Sequence, residues 1–367
     1  MNKRGGDFRK TCFSFGDNEE EAYCLCRWLR ARKFVYQDVI KMVEGATECM
    51  SEPRKFDFYP DPSTALGVDP FVYSSQYPQL YTGNAKNGCP LFISKPGVLN
   101  VDGMECITTL EGILNYHWHV MMHDYAGRLR ENKTKNPDFN NFACVCVLDL
   151  DGLTTAQLSG RALEIIKTQS TIDSLCFPET MSKMIVVNVP RFFALTWRII
   201  KGWIDPRTAG KVDLISSRSQ GEKRLLELVD VDQLPSDYGG NAESTNTTLM
   251  RVAPSGMTRQ VTHLIHVRGS TSHTIKMQAN EELEVIIYTR GLTGALFTVS
   301  DKDSKSSFGS VKVKHNGTNE EKESPTSVSI TNTRIPGPAN VKVRAESNSG
   351  RFSGVEKFLI VFNFYKK

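Results

Sequence analysis

Six residues constrain this chain more than any others. Ala143-Cys-Val-Cys-Val-Leu148 is an unbroken apolar run. It is too short for an ordinary helix and lacks the alternation of a strand with one wet face, so it fits a strand buried on both sides. Such a strand needs a layer above and a layer below, which points to a parallel sheet flanked by helices. The run ends in Asp149-Leu-Asp-Gly152, a turn signal. Leu91-Phe-Ile-Ser94, Met184-Ile-Val-Val187 and Val212–Ile215 read as further strands. Between them, Cys106 to about Leu129, Leu158–Ile172 and Arg191–Ile204 have helical length and periodicity. This βαβα order predicts parallel strands joined by right-handed crossovers.

The flanking regions differ in texture. Residues 1 to about 55 read as helical, with Leu25, Leu29, Val39, Ile40 and Val43 at helical spacing, and Pro53, Pro60 and Pro62 close the region. After Gly239-Gly240 the pattern changes. Asn241–Thr248 reads as a linker, and from about 259 short alternating runs follow. These are Val261/Leu264/His266, Leu283/Val285/Ile287, Phe297/Val299, Val311/Val313, Val328/Ile330, Val341/Val343/Ala345 and Phe358/Ile360/Phe362/Phe364. Their spacing is that of a β-sandwich. The polar stretches Ser300–Ser306 and Asn316–Ser324 read as solvated turns.

Composition narrows the function classes. Hydrophobic residues make up 40% and charged residues 23% of 367, an ordinary globular balance. A net charge of +4 is too small to argue for nucleic acid, while leaving room for a local basic patch facing anionic lipid. The nine cysteines are odd in number and all lie at or before Cys176. With a polar stretch at Met1–Asp7 in place of an apolar leader, they predict free thiols in a reducing, cytoplasmic setting. On that expectation the sequons at Asn132, Asn246 and Asn316 are chance matches. No run approaches the roughly 20 apolar residues of a membrane-spanning helix.

Enzyme signatures fail one by one. Gly210-Lys211 lacks the upstream glycine of a phosphate loop, and neither G-x-S-x-G nor H-E-x-x-H occurs. Cys24-Leu-Cys26 and Cys144-Val-Cys146 are C-x-C pairs in apolar or helical surroundings and read as buried thiols. His117, His119 and His123 approach a zinc pattern, but apart from Asp124 nothing completes a ligand set. Pocket-side or surface histidines fit better. No nucleophile, base and orienter group together.

Five motifs in order carry a resemblance. They are Arg27-Trp-Leu-Arg-Ala-Arg-Lys-Phe34, Phe177-Pro-Glu-Thr180, Val187-Asn-Val-Pro190, Trp203-Ile-Asp-Pro206 and Gln233-Leu-Pro-Ser-Asp-Tyr-Gly-Gly240. Over residues 20–240 the chain resembles the CRAL-TRIO family of phosphatidylinositol/phosphatidylcholine transfer proteins. Residues 255–367 resemble a GOLD domain more loosely, by position and by Val267-Arg-Gly-Ser-Thr-Ser-His273. The combination is similar to the supernatant-protein-factor, or tocopherol-associated, branch. The implied architecture is a short helical region at 1–55, an α/β CRAL-TRIO lipid-binding domain at 65–240 and an all-β GOLD-like sandwich at 255–367.

The resemblance also implies site residues. The positions that hold an inositol phospholipid headgroup are Arg32 (beside Lys33), Glu179, Thr208 and Lys211. Buried phosphate is costly unless paired, and this set offers charge-assisted donors and an acceptor for inositol hydroxyls. The positions that hold a choline lipid are Tyr81, Phe92, Cys144 and Cys146. Here phenylalanine replaces a tyrosine, and two cysteines replace a serine and a threonine. Three of four polar contacts are weakened, so a more apolar second ligand of sterol, tocopherol or retinoid type is expected. Arg191–Ile204 matches the family's mobile gate helix, with Phe192, Phe193, Trp197, Ile200 and Trp203 as its large apolar residues and hinges at Gly202 and Asp205-Pro206. The implied function is lipid transfer between membranes, by a cytoplasmic, peripherally membrane-associated carrier with bound lipid and no cofactor. An adaptor that presents lipid and docks a protein partner through the GOLD-like domain is the competing reading. Nucleic acid is not an expected partner.

Overall fold

The computed structural model describes residues 5–16, 19–290, 294–313, 325–330, 334–347 and 355–367. The stretch Asn316–Ser324 lies outside them. The helices before the sheet are α1 (Gly6–Cys12), α2 (Glu21–Ala31), α3 (Tyr36–Cys49), α4 (Ser51–Lys55), α5 (Pro62–Leu66) and α6 (Pro70–Gln76). Those that follow are α7 (Val101–Ile107), α8 (Leu110–His119), α9 (Ala126–Lys135), α10 (Gly160–Cys176), α11 (Phe193–Lys201), α12 (Pro206–Ala209), α13 (Arg218–Leu228) and α14 (Thr245–Met250). Contacts divide the chain into two compact units. One holds residues 1–65, 77–99 and 113–248; the other holds 66–76, 100–112 and 249–367.

The first unit is built on strands β1 (Gln79–Asn84), β2 (Pro90–Ser94), β3 (Cys144–Asp149), β4 (Met181–Val187) and β5 (Val212–Leu214), in that spatial order. Strands β2 to β5 are parallel, as the sequence predicts, but β1 adds an antiparallel edge that the sequence reading lacks. Its residues mix polar and apolar types, and the register shifts between Thr82 and Asn84. There Gly83 has φ 47°, and a Cβ would sit 2.4 Å from the Gln233 carbonyl oxygen, so only glycine fits.

Two further readings change. The helical stretch expected at Cys106–Leu129 is split. Thr108 turns extended, and Thr109 Oγ1 accepts from Gly112 N–H at 2.9 Å, capping α8. From α8 a π-helical turn at Val120–Tyr125 leads directly into α9. The presumed linker Asn241–Thr248 is bonded to the first unit. Asn241 N–H donates to the Val231 carbonyl at 2.6 Å, and Asp237 Oδ2 accepts from both the backbone N–H and Oγ1 of Thr245 at 2.6 Å. In α2 the buried residues are Cys24, Arg27 and Trp28, whereas Leu25 is half-buried and Cys26 is exposed.

The sheet separates two apolar layers. On one face Leu91, Ile93, Val145, Val147, Ile185 and Val187 pack with Leu225, Leu234 and Tyr238. On the other, Tyr81, Phe92, Cys144 and Cys146 meet the cluster that contains Trp28, Val43, Trp118, Tyr125 and Phe177. Further along that same face, Leu148, Met184, Val186 and Val212 meet Phe193, Trp197 and Ile200 of α11.

The second unit is an antiparallel two-sheet structure. Its strands are β6 (Met257–Val267), β7 (Ser270–Met277), β8 (Glu281–Thr289), β9 (Ala295–Asp301), β10 (Ser307–Val313), β11 (Thr326–Ser329), β12 (Ile335–Pro336), β13 (Ala339–Glu346) and β14 (Glu356–Lys366). One sheet runs β10-β9-β13-β7 and the other β11-β8-β14-β6, with β12 pairing β8. Leu283, Val285, Phe297, Val299, Val341 and Phe358 fill the core between them. In β6 the buried residues are Ile265 and Val267 rather than Leu264 and His266, because the strand's alternation runs in the opposite phase. Ser300–Ser306 contains the turn between β9 and β10, where Asp301 Oδ1 accepts from Asp303 N–H at 2.7 Å. Helix α7 packs on β14 and β8 within this unit. Lys357 of β14 bonds both Asp102 and Glu105 of that helix.

Candidate functional site

Three of the five motifs, Arg27–Phe34, Phe177–Thr180 and Trp203–Pro206, meet at a charged corner of the first unit, whereas Asn188 and Tyr238 of the other two bond Asp149. Phe177-Pro-Glu-Thr180 is the turn from α10 into β4, closed by Thr180 Oγ1 donating to the Phe177 carbonyl at 2.8 Å. Glu179 sits in it at φ 58°, a left-handed conformation that glutamate seldom adopts. Its side chain is 16% exposed and accepts from Lys211 Nζ at 3.1 Å. Lys211 Nζ also donates to the Met181 carbonyl at 2.8 Å. Arg30, which the sequence reading passed over, approaches the same Glu179 oxygen at 3.9 Å.

The other expected headgroup residues stand near this pair without joining it. Arg32 is the C-cap of α2, half-buried, and its Nη1 donates to the Ala31 carbonyl at 3.1 Å. Lys33 is exposed at φ 50°. Thr208 lies in α12, and its carbonyl accepts from Lys211 N–H at 3.0 Å. Asp205 Oδ1 caps that short helix by accepting from Arg207 N–H at 2.8 Å. Arg207 then reaches the end of α2, donating to the Arg30 carbonyl at 2.7 Å and the Ala31 carbonyl at 3.3 Å. A cation at a helix C-terminus is favourable, and here it fixes α12 against the end of the segment that carries Arg32.

The apolar part is a row across the sheet. Pairing aligns Tyr81 with Phe92, Phe92 with Cys146, Cys146 with Met184, and Met184 with Val212. In-register neighbours share one face. All five keep accessible surface, although the row crosses the middle of the sheet. The opposite-facing residues Leu91, Ile93, Val147 and Ile185 are 0% exposed. Cys146 belongs to one packing cluster, whereas its in-register neighbour Met184 belongs to the next. Cys144 is buried, with its sulfur 3.8 Å from that of Cys146. The Tyr81 ring lies 4.9 Å from Phe92 and 6.0 Å from Tyr125, centroid to centroid. Burial drives the Tyr81 phenol well above its ordinary range, so it stays neutral. Met184 and Val212 were not among the expected pocket residues. Strand register is the signal that finds them.

Helix α11 divides the five expected gate residues. Phe193 is buried, and Trp197 and Ile200 are half-buried against the sheet. Phe192 and Trp203 point outward, 41% and 36% exposed, together with Leu195 at 63% and Ile199 at 46%. These four form one outer stripe that the sequence reading did not separate from the inner one.

Two clefts lie elsewhere. One, of about 850 Å³, is lined by Asn84, Asn87, Asn140, Asn141 and Gln233 among others, with Tyr23 and Phe139. The second, of about 210 Å³, lies beside Asp149, Asn188 and Tyr238 at the C-terminal ends of β3 and β4. Neither is lined by Tyr81, Phe92, Cys144 or Cys146. The histidines are engaged by protein groups: His117 with Asp173 at 2.8 Å, His119 with the Tyr59 carbonyl at 2.7 Å, and His123 with the Asp57 carbonyl at 2.7 Å. Among the described residues no cluster of three or more His, Cys, Asp or Glu side chains is placed to hold a metal, and no helix is long and apolar enough to cross a membrane.

The CRAL/TRIO domain matches residues 74–240. "SEC14 cytosolic factor" of Candida glabrata is 31% identical over 228 residues, covering 60% of this chain and 70% of that protein. "Phosphatidylinositol/phosphatidylcholine transfer protein SFH4" of Arabidopsis thaliana is 31% identical over 253 residues, 64% of this chain and 38% of that protein. "Phosphatidylinositol/phosphatidylcholine transfer protein SFH9" of the same plant is 24% identical over 245 residues, 64% of this chain and 40% of that protein. The chain thus spans well under half the length of these Arabidopsis relatives.

Proposed function

The chain belongs to the CRAL/TRIO family, and on that premise we propose that it binds one phospholipid, phosphatidylinositol foremost, and transfers it between membranes. The observation that carries the reading is the row Tyr81–Phe92–Cys146–Met184–Val212. Its side chains pack against two adjoining apolar clusters and still keep accessible surface, while the residues behind them keep none. An apolar lining with free surface is what acyl chains require. Two chains hold about 30 methylenes at about 0.8 kcal/mol each, so leaving a bilayer for water costs roughly 20 kcal/mol or more. An apolar enclosure offsets that cost and leaves selectivity to the headgroup.

For the headgroup, Lys211, Thr208 and Arg32 supply donors to phosphate, and Glu179 accepts from inositol hydroxyls. Glu179 and Lys211 bond one another, which keeps both polar groups satisfied. Lys33 and Arg30 add positive charge at the rim. Helix α11 is the gate: its inner stripe packs on the Met184 and Val212 end of the row, and its outer stripe meets the membrane surface. The relatives are named as transfer proteins, which favours a carrier over an enzyme.

One observation favours a second ligand. Phe92 and Cys146 in the row, with buried Cys144 beside them, stand where a choline headgroup would need hydroxyls, which makes a sterol-, tocopherol- or retinoid-like molecule the better alternate cargo. The antiparallel unit is read as a GOLD-like domain that docks a protein partner at a cytoplasmic membrane surface, as in the tocopherol-associated branch.

Native mass spectrometry of co-purified lipid tests the core claim. A Lys211→Ala/Thr208→Ala double variant is expected to lose inositol lipid while retaining apolar cargo. Equal loss of every ligand would show that the headgroup assignment is wrong.

A further inference from the structure

The turn between α2 and α3 leaves three consecutive apolar side chains in solvent: Phe34 is 63%, Val35 49% and Tyr36 64% exposed. The turn is held, not loose. Phe34 N–H donates to the Leu29 carbonyl at 2.8 Å and Val35 N–H to the Arg32 carbonyl at 2.9 Å. Lys33 and Phe34 occupy φ of 50° and 63°, which L-residues adopt at a cost. A strained, hydrogen-bonded turn therefore presents an apolar tip to water, the mark of an interaction surface.

Charge identifies the partner. From Arg30 to Asp38 the segment carries Arg30, Arg32 and Lys33 against a single acid, Asp38. The Arg30 side chain is 60% exposed and Lys33 is exposed. Arg207 adds a fourth cation at the base of the turn through its bonds to the Arg30 and Ala31 carbonyls. The other acids nearby are already matched, Asp205 with Arg207 at 3.3 Å and Glu179 with Lys211 and Arg30. Counting Lys211, five cations stand here against the three acids Asp38, Asp205 and Glu179, and apolar groups beside such a net positive charge complement an anionic lipid surface: the rings enter the interface and the excess cations meet phosphates.

We propose that Phe34–Tyr36 is a second membrane-docking point, inserted into an anionic bilayer interface beside the outer stripe of α11. This deepens, and rests on, the reading of α11 as a gate that opens at a membrane. Arg207 ties the two structurally. It lies four residues beyond Trp203, the last residue of that stripe, and is bonded to the base of the turn. Docking through both points would hold the charged corner against the bilayer while the gate opens.

Vesicle co-sedimentation of the full chain tests this. Phosphatidylcholine vesicles, with and without about one third phosphatidylserine, are compared for the wild type, Phe34→Ser/Tyr36→Ser, Val35→Glu and Leu195→Ser/Ile199→Ser. The wild type should prefer the anionic vesicles. Phe34→Ser/Tyr36→Ser should lose about tenfold in binding to them at an unchanged thermal midpoint, and Val35→Glu should lose at least as much. Wild-type binding by both turn variants would overturn the proposal, whatever the α11 variant does; a turn that serves a protein partner gives that result. Equal wild-type binding to neutral and anionic vesicles would overturn it too. Loss in the turn variants with wild-type binding by Leu195→Ser/Ile199→Ser would uphold the turn and remove the α11 contact instead.

Discussion

At the scale of single residues, Arg27 explains more of the first motif than the positions expected to bind lipid. It is 4% exposed, its Nε donates to Glu19 Oε1 at 2.6 Å, and its Nη1 donates to the Pro178 carbonyl at 2.9 Å. Glu19 is as deeply buried, and burial raises its carboxyl pKa against the opposing pull of Arg27. The pair thus fixes the start of α2 next to the turn that carries Glu179. Arg27→Met would leave the Glu19 carboxylate buried without its cation, at an expected cost of about 3–5 kcal/mol in urea unfolding at neutral pH. Adding Glu19→Gln should restore much of that. An Arg27→Met variant as stable as the wild type would remove the pair from the account. The sequence displays Arg27 but hides its role, because one of its partners lies 151 residues away. Gly240 behaves the same way. A Cβ there would fall 1.8 Å from the Leu234 carbonyl oxygen, so the closing Gly-Gly of the last motif answers to backbone proximity and not to ligand chemistry.

At the scale of elements, α11 shows what helical periodicity settles and what it leaves open. Its amphipathic character is plain in the sequence, but which stripe faces the sheet is not, since both stripes are apolar. Packing assigns Phe193, Trp197 and Ile200 inward and Phe192, Leu195, Ile199 and Trp203 outward. A change at Trp197 therefore tests packing, and a change at Trp203 tests the surface. Leu195→Ser/Ile199→Ser alters the outer stripe alone. It is expected to slow lipid transfer between labelled vesicles about tenfold while leaving equilibrium occupancy unchanged. Equal losses in both assays would refute a gating role. Strand β14 carries a related lesson. The alternation Phe358/Ile360/Phe362/Phe364 is legible and does fill the core, yet Leu359 and Val361 between them are also 0% exposed. An uninterrupted apolar run signals burial on two faces, here with α7 packed on the strand.

At the scale of the whole molecule, chain order and contact order part ways. Residues 66–76 and 100–112 lie within the first half of the chain yet pack with 249–367. Asn100 Nδ2 donates to Gln76 Oε1 at 2.8 Å, Gln76 Nε2 to Thr262 Oγ1 at 3.0 Å, and Arg290 Nη1 to the Thr108 carbonyl at 3.3 Å. A cut after residue 248 should therefore strand the buried Met104, Cys106 and Ile107 in one fragment and uncover Leu359 and Val361 in the other. Each fragment expressed alone is expected to aggregate, and co-expression to restore solubility. Two soluble, cooperatively unfolding fragments would contradict this. The sequence by itself determined the parallel strands, their flanking helices, the sandwich and the family motifs, because periodicity and turn chemistry are properties of short windows. Only the tertiary structure decided which face of the sheet keeps free surface, that Arg30 and not Arg32 reaches Glu179, and that two early helices join the C-terminal unit. Those outcomes depend on pairings between residues far apart in the chain, which no local pattern contains.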